Sequence, residues 1–360
     1  MTTPLEQLTR DLARLATHYD MLGAWPATSI DRLEEAGAWT WIIPKQYGGM
    51  ALGPADQITA YEAVAAGCMS SLLILTQRDG ACELIAASDN ESLKAELLPK
   101  LARNEIMTSV GISQITTSRQ GGKPALTATP EGANYRLHGF MPWVTGAAKC
   151  DFLVTGAVLP DGRRILAAVP TDAMGVQIDP PMKLMALEAS QTSEVHCRKV
   201  LLSEHHILQG PADRVLARRS AVKPLVVAAA GVGLAGAMVL TMVERAAGLK
   251  GRLGEIAEDL VARYEAVRER LYKHARQLVE PGAEIPRDEI RVAVNDLLMR
   301  LAVATLTYAK GSGFIRQRDA QRLAREAMFF LVWSATEEVR IQTLEAFLHT
   351  PPPESKSMSC

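Results

Sequence analysis

The sequence predicts an α+β multidomain protein, in which an N-terminal helical domain, a middle β-barrel or β-sandwich domain and a C-terminal four-helix bundle follow one another. Apolar residues recur at helical spacing in the first and last parts of the 360-residue chain. Between these parts the apolar spacing falls to two, and turn residues separate short runs, which is typical of strands. The predicted ranges are 1–105, 106–210 and 211–349 for the three domains and 350–360 for a disordered tail.

Leucines recur every three or four residues from position 5 to position 15, and this spacing predicts the first helix. Further helices of the N-terminal domain are predicted over 56–67, 71–88 and 91–103. Pro99 predicts a break or kink near Leu98 in the last of these helices, because proline lacks a backbone donor and disfavours helical geometry in the preceding residue.

The middle domain is predicted from roughly ninety residues with alternating apolar positions, between 108 and about 202. Short strands separated by glycine-containing turns favour a small barrel or sandwich. Helical periodicity then returns. The predicted C-terminal helices are 212–249, 253–279, 287–310 and 319–348, with a connector at 280–286 that contains proline and glycine.

Composition excludes several classes of partner. The 39 lysines and arginines balance the 40 aspartates and glutamates, which gives no electrostatic basis for binding nucleic acid or a membrane surface. The apolar stretch at 224–243 is long enough to cross a membrane, but its many small residues favour a closely packed core helix. Five cysteines without metal-ligand spacing indicate free thiols in a reducing compartment. The first residues do not resemble an export signal, so we expect a cytoplasmic protein.

A segment near the middle of the chain, residues 141–148, reads Met-Pro-Trp-Val-Thr-Gly-Ala-Ala between two strand-like runs. Pro142 and Gly146 interrupt regular strand pairing, and they frame Trp143 and Thr145. A tryptophan face can cover a flat ring system, and a threonine hydroxyl can bond the edge of that ring. The alternative is an ordinary hairpin whose tryptophan fills the core.

Five segments in order carry a resemblance to a known family. They are 43–49 (Ile-Pro-Lys-Gln-Tyr-Gly-Gly), 111–114 (Gly-Ile-Ser-Gln), 143–145 (Trp-Val-Thr), 184–192 (Leu-Met-Ala-Leu-Glu-Ala-Ser-Gln-Thr) and the glycine, arginine and threonine positions between 311 and 338. They resemble the Pro-x-x-Tyr-Gly-Gly, Thr-Glu-Pro, Trp-Ile-Thr, Gly-x-Arg-x-Ser-x-Thr and Gly-Gly-x-Gly to Gly-Thr-x-Glu motifs of the acyl-CoA dehydrogenase family. The similarity covers about residues 5–348, and it implies that family's fold and a bound FAD, with FMN as the alternative.

The resemblance implies positions for both ends of the flavin. Its ring would lie against Ser113, Trp143 and Thr145, with the Ser113 hydroxyl or N–H at the polar edge, where it stabilises charge on the reduced ring.

The rest of the cofactor would contact C-terminal residues. Gly311 and Gly313 would let the backbone approach the dinucleotide, and this pair is implied to come from a neighbouring subunit. Thr336 and Glu338 would lie near the diphosphate and ribose. Arg245 would pair with the pyrophosphate, or it is a solvated helix charge. The family's dimers and tetramers imply a homodimer or homotetramer.

The resemblance does not supply a catalytic base. Desaturation of an acyl thioester needs a group that removes the α-proton while hydride passes to the flavin, and a buried carboxylate suits that role. Ser334 stands where much of the family has this glutamate, and Lys223 is the ionisable residue in the helix region that carries the base in other members. We therefore leave the catalytic residue unassigned. We separately predict no metal ligand, and we expect Glu326 to pair with Arg322.

Three functions remain open. The first is an FAD-dependent oxidoreductase that desaturates a small-molecule acyl thioester. The second is a flavin-dependent monooxygenase or oxidase on a non-CoA substrate, since chemistry with reduced flavin and oxygen needs no α-proton removal. The third is a catalytically inactive binding or scaffold subunit with the same fold. His138 and His196 are expected to be half-exposed strand residues.

Overall fold

A computed structural model describes residues 3–116, 123–216, 222–278 and 285–348. Its helices are α1 (Pro4–Leu22), α2 (Ala27–Glu35), α3 (Pro54–Gly67), α4 (Met69–Ala86), α5 (Glu91–Ala102), α6 (Ser113–Thr116), α7 (Lys223–Ala246), α8 (Arg252–Gln277), α9 (Arg287–Ala309), α10 (Asp319–Phe329) and α11 (Glu337–Leu348). Its strands are β1 (Thr108–Gly111), β2 (Leu126–Glu131), β3 (Asn134–Val144), β4 (Phe152–Val158), β5 (Arg164–Pro170), β6 (Val176–Ile178), β7 (Ser193–Ser203) and β8 (Ile207–Ala212). The predicted α+β class is confirmed, with helices before and after a central sheet. The predicted tail at 350–360 lies outside the described residues.

The eight strands form one sheet in the order β6-β7-β3-β2-β4-β5-β8, with β1 paired to β4 in parallel. Most neighbours are antiparallel, and the long pair of β3 and β7 sets the register around Trp143 and Thr145. Alternating apolar residues cover both faces of the sheet. One face buries Leu126, Leu137 and Val195 in a core of its own, and the other buries Val154 and Leu166 against α4 and α5.

The N-terminal and C-terminal helices share a single hydrophobic core. Helix α3 packs directly on α7, where a Cβ added to Gly233 would lie 2.3 Å from the carbonyl oxygen of Glu62. The small residues of α7 therefore permit a close approach of two backbones, as its composition predicts. A capping box between Thr3 and Glu6 fixes the start of α1 in this core.

Two helices are long and apolar enough to pass a composition test for membrane spans, Lys223–Ala246 and the stretch Arg287–Phe314. In the most apolar windows of these helices, 61% and 56% of the residues are buried inside the protein. This burial is what core helices show.

Three features of the predicted helices differ from the structure. Residue 212 ends strand β8 instead of beginning a helix, and α7 begins at Lys223. The break expected in the helix 91–103 is absent. Helix α5 continues past Pro99 to Ala102, because Leu97, Leu98 and Leu101 are all buried in the core beneath the sheet. The predicted helix 319–348 is divided into α10 and α11. Between them, Arg291 of α9 donates hydrogen bonds to the carbonyl oxygens of Phe330 and Trp333. These oxygens therefore accept from a side chain instead of from the backbone N–H groups of a continuous helix.

Candidate functional site

Trp143 lies at the end of β3 and is 50% exposed, whereas its neighbour Val144 is fully buried. The pairing of β3 with β7 shifts between Met141 and Val144, which is the signature of a bulge. The bulge presents the indole at the surface. The alternative expectation of a hairpin with its tryptophan in the core is therefore wrong.

Three buried hydroxyl groups meet beside this strand end. The Oγ1 atoms of Thr145 and Thr192 lie 3.2 Å apart, and Thr192 Oγ1 is 2.9 Å from Ser190 Oγ. The backbone N–H of Gly146 donates to the carbonyl oxygens of Ser190 and Gln191. The fold thus joins two of the sequence segments that carry the resemblance, 143–145 and 184–192. Neither Ser190 nor Thr192 was among the residues predicted for the site.

Ser113 begins α6, immediately after β1. A Cβ added to Gly111 would lie 2.8 Å from the sulfur of Met141, so β1 and the end of β3 are in close contact, and α6 also packs on β3. The Ser113 hydroxyl is buried, and within the part of the chain that the structure describes it has no hydrogen-bond partner. A buried hydroxyl without a partner is destabilising, so this atom fits a partner that another molecule supplies.

Gln114 occupies the position where the resemblance has an acidic residue. Its buried amide Nε2 donates to the carbonyl oxygens of Gly111 and Gly156 at 2.9 and 3.1 Å, and to the Thr155 hydroxyl at 3.0 Å. A carboxylate could not donate any of these bonds. These bonds hold β1 against β4, and they explain why this chain has a glutamine where the family motif has an acidic residue.

The segment 184–192 is anchored by α10. Arg325 donates to the carbonyl oxygen of Met185 at 2.7 Å and forms an ion pair with Asp20 of α1 at 2.5 Å. These residues lie more than a hundred positions apart in sequence, and no local pattern indicates that they meet. One arginine therefore connects the first helix, the loop between β6 and β7 and the C-terminal helices.

The thiol nearest to the segment 141–148 is not a reactive group. Cys150 is buried and donates to the Gly146 carbonyl oxygen at 3.4 Å. Burial raises the pKa of this thiol far above its usual value. Cys150 stays protonated and serves packing.

The predicted contacts for the remainder of the cofactor lie in the C-terminal helices. Arg245 is exposed in the last turn of α7, and Gly311 is exposed with nothing within 4 Å of an added Cβ. Gly313 is buried against Ala309. Thr336 accepts a hydrogen bond from the N–H of Val339.

Glu338, the remaining predicted contact, is exposed on the first turn of α11. Among the described residues, no hydrogen bond or ion pair links Arg245, Gly311, Gly313, Thr336 or Glu338 to the residues at the end of β3. Within one chain, the predicted ring contacts therefore lie close together. The predicted dinucleotide contacts lie on a separate, largely exposed surface.

The two positions considered for a base differ in environment. Ser334 is exposed, with a φ of +50°. Lys223 begins α7 and is partly buried, and its Nζ would lie 3.3 Å from a Cβ added to Gly80 of α4. Neither residue offers a carboxylate, so neither the sequence nor the structure identifies a catalytic base.

A surface cavity borders the exposed end of α7. It has a volume of about 450 Å³ and is lined by apolar and small residues of α7 and α8, including Val243, Leu249 and Val261. A second cavity of about 460 Å³ lies between α3 and α8 and is lined by Glu62, Tyr264 and Arg268. Neither cavity is lined by a residue of the segment 141–148.

Known proteins share this sequence pattern and this fold. The family model described as "Acyl-CoA dehydrogenase, N-terminal domain" matches residues 5–105. The chain is 22% identical over 355 residues to the probable acyl-CoA dehydrogenase YngJ of Bacillus subtilis, with 92% of each chain covered. The solved structure of butyryl-CoA dehydrogenase from Megasphaera elsdenii superimposes with a TM-score of 0.82 at 20% identity, covering 96% of this chain and 97% of that one. FMN-bound TdsC from Paenibacillus sp. A11-2 gives a TM-score of 0.82 at 16% identity, with 96% of each chain covered.

Proposed function

We propose that this chain, which belongs to the acyl-CoA dehydrogenase family, is an FAD-dependent oxidoreductase that desaturates an acyl thioester between its α and β carbons. The observation that carries the proposal is the buried hydroxyl of Ser113, which has no hydrogen-bond partner among the described residues and is held by β1 and α6 against the strand that exposes Trp143. When bound, the flavin would supply the acceptor for the substrate's hydride. FMN is the alternative cofactor.

The residues of the chain would act on the ring in three ways. Trp143 would cover one face with its exposed indole. Ser113 would donate a hydrogen bond to the polar edge, where negative charge develops on reduction. The hydroxyl of Thr145 would bond the ring while Thr192 keeps it oriented at 3.2 Å. Such an arrangement is preorganised, because backbone bonds of Gly146 fix the loop before any ligand arrives.

A second copy of the chain is the proposed source of the remaining cofactor contacts, and we propose a homodimer or homotetramer. The C-terminal helices expose several large apolar side chains, which contact with a second copy would bury. They include Leu240, Val303, Phe314, Val332 and Leu344. The apolar cavity at the end of α7 adds to this surface. In the proposed oligomer, Arg245 and Gly311 would contact the flavin of a partner copy.

Two alternatives concern the chemistry. Ser334 cannot remove an α-proton by itself, because a serine hydroxyl needs an adjacent base. This favours, as the second candidate, a flavin-dependent monooxygenase or oxidase on a non-CoA substrate. The third candidate is an inactive binding subunit. The four described cysteines, which are free and buried, support a cytoplasmic location for any of the three.

An absorption spectrum of the purified protein separates the first two candidates from the third. Flavin absorption bands in the blue and near-ultraviolet are expected. Anaerobic addition of acyl-CoA substrates of several chain lengths should then bleach the long-wavelength band. Oxygen uptake with supplied reduced flavin, without such bleaching, would favour the monooxygenase. Colourless protein that cannot be reconstituted with FAD or FMN would refute both.

A pair of variants tests the ring contact itself. Ser113→Ala should weaken flavin binding at least about tenfold, the value of a hydrogen bond to a charged group. Ser109→Ala is the matched control, because its hydroxyl is also buried without a described partner, on the strand that leads to Ser113. Equal effects of the two variants on flavin affinity would contradict the assigned role of Ser113.

A further inference from the structure

Two adjacent strands at one end of the sheet bring together a histidine and two carboxylates. Glu194 and His196 are two apart on β7, so their side chains point to the same face. Asp179 follows β6, and its N–H donates to the Glu194 carbonyl oxygen at 3.0 Å, which places it opposite Glu194. This cluster was not among the predicted sites, and none of the functions above uses it.

The atoms of the cluster converge on one point. His196 Nε2 lies 3.2 Å from Asp179 Oδ2 and 3.1 Å from Glu194 Oε1. One potential ligand atom from each of the three residues lies within 4.8 Å of the other two. Ligands around a tetrahedral divalent ion with bonds of about 2.1 Å are spaced by about 3.4 Å, so small side-chain rotations would accommodate an ion.

Charge and chemistry select the class of ion. With the imidazole neutral, the two carboxylates place two negative charges against a single nitrogen donor, and a divalent cation would balance them. A nitrogen ligand together with two carboxylate oxygens suits zinc and its neighbours in the transition series, whereas magnesium and calcium prefer an all-oxygen set. The side chains are 29–35% exposed, so a metal could enter and take a water molecule as the fourth ligand of a closed tetrahedral site.

The surroundings hold the ligands in place. The pairing of Gln177 with His196 and of Ile178 with Val195 fixes the backbone on both sides. Gln177 Nε2 donates to the second oxygen of Asp179 at 3.3 Å, which orients that carboxylate as outer-sphere partners of metal ligands do. A rigid sheet therefore presents all three groups.

We propose that Asp179, Glu194 and His196 form a structural binding site for a zinc-class divalent cation. The ion would link the two ends of the segment 180–193. That segment carries Thr192 of the hydroxyl cluster, and Met185, the acceptor for Arg325. Metal binding would thus stabilise the loop that supports Thr145, without contact with the flavin region itself.

The test uses the purified full-length chain after treatment with a chelator, titrated with zinc chloride alone by isothermal calorimetry. We expect one saturable site and a melting temperature that rises with zinc concentration. His196→Ala should abolish the site. The conservative variants Glu194→Gln and Asp179→Asn should weaken zinc binding by at least about tenfold, since loss of even an outer-shell partner has an effect of that size. Circular dichroism of each variant without zinc checks its fold.

The matched control is His205→Ala. His205 Nε2 lies 3.2 Å from Glu96 in an exposed pair beside His206, and this pair is the rival zinc ligand. The control variant should keep the high-affinity site. Three results would overturn the proposal: no saturable binding, zinc binding that survives His196→Ala and Glu194→Gln, or loss of the site in His205→Ala alone.

Discussion

Arg322 and Glu326 lie one turn apart on α10 and form an ion pair whose side chains are only 5% and 2% exposed. The Nη1 atom of Arg322 is 3.0 and 3.2 Å from the two carboxylate oxygens. The same guanidinium donates to the hydroxyl of Thr17 on α1 and to Asp319. The predicted pair is confirmed, and it also fastens the first helix to the C-terminal helices.

Removal of one member of this pair should be far more damaging than removal of both. Glu326→Leu leaves a buried guanidinium without its main counter-charge, so we expect a loss of about 3–5 kcal/mol in the free energy of unfolding. The double variant Arg322→Leu/Glu326→Leu should recover at least half of that loss. Chemical denaturation followed by circular dichroism measures both. Arg252→Ala, which breaks an exposed pair with Glu255, is the control and should change stability by less than about 1 kcal/mol.

The buried carboxyl group of Asp79 predicts a specific pH dependence. Burial raises its pKa to about 6, although Arg78 lies 3.0 Å away and the Tyr61 hydroxyl donates to it. The native state then binds more protons than the unfolded chain between about pH 4 and 6. Stability should therefore fall as the pH rises through this window, by on the order of 3 kcal/mol.

The variant Asp79→Asn should remove that slope, whatever its effect on absolute stability. Unfolding midpoints of both proteins from pH 4 to pH 7 give the comparison, and their difference isolates Asp79 from other titrating groups. Parallel curves for the two proteins would show that Asp79 does not titrate in this range.

Gly49 ends the segment that resembles the family's Pro-x-x-Tyr-Gly-Gly turn. A glycine is needed at this position because a side chain would not fit. A Cβ added there would lie 1.9 Å from the carbonyl oxygen of Ile43, a backbone atom that cannot move aside. We expect Gly49→Ala to destabilise the protein by about 1–3 kcal/mol. Gly53, in the same loop, has nothing within 4 Å of an added Cβ. Gly53→Ala should stay within about 0.5 kcal/mol of the parent in the same thermal melt.

Ser334 adopts a left-handed backbone conformation, with a φ of +50°, in the turn between α10 and α11. A residue with a side chain is strained there by about 1–2 kcal/mol relative to glycine. Ser334→Gly should therefore raise the melting temperature, whereas Ser334→Ala should leave it nearly unchanged. If flavin reduction by an acyl thioester is observed, neither variant should slow it. A large loss of that rate in Ser334→Ala would assign the hydroxyl a role that its chemistry does not predict.

The order of helices and strands could be predicted from apolar periodicity, because that pattern is local. Trp143 and Thr145 could be singled out for the same reason, since proline and glycine mark the strand end around them. The contact between Thr145 and Thr192 could not be predicted, because it depends on the register of β3 with β7. The break after α10 could not be predicted from the sequence either. Apolar residues continue through it, and the interaction that breaks the helix comes from Arg291 on another helix.

The shared core of the first and last helices has a consequence for synthesis. Thr17 and Asp319, which are bonded to each other in the native protein, lie 302 positions apart. At about 5–20 residues per second, roughly 15–60 seconds pass between their appearance at the ribosome. The apolar face of α3 must wait for α7 and that of α1 for α10, and both partners emerge only after the whole sheet, which can close in between. We expect pulsed proteolysis of nascent chains to find the strands protected first, and the earliest helices to be among the last elements to become resistant.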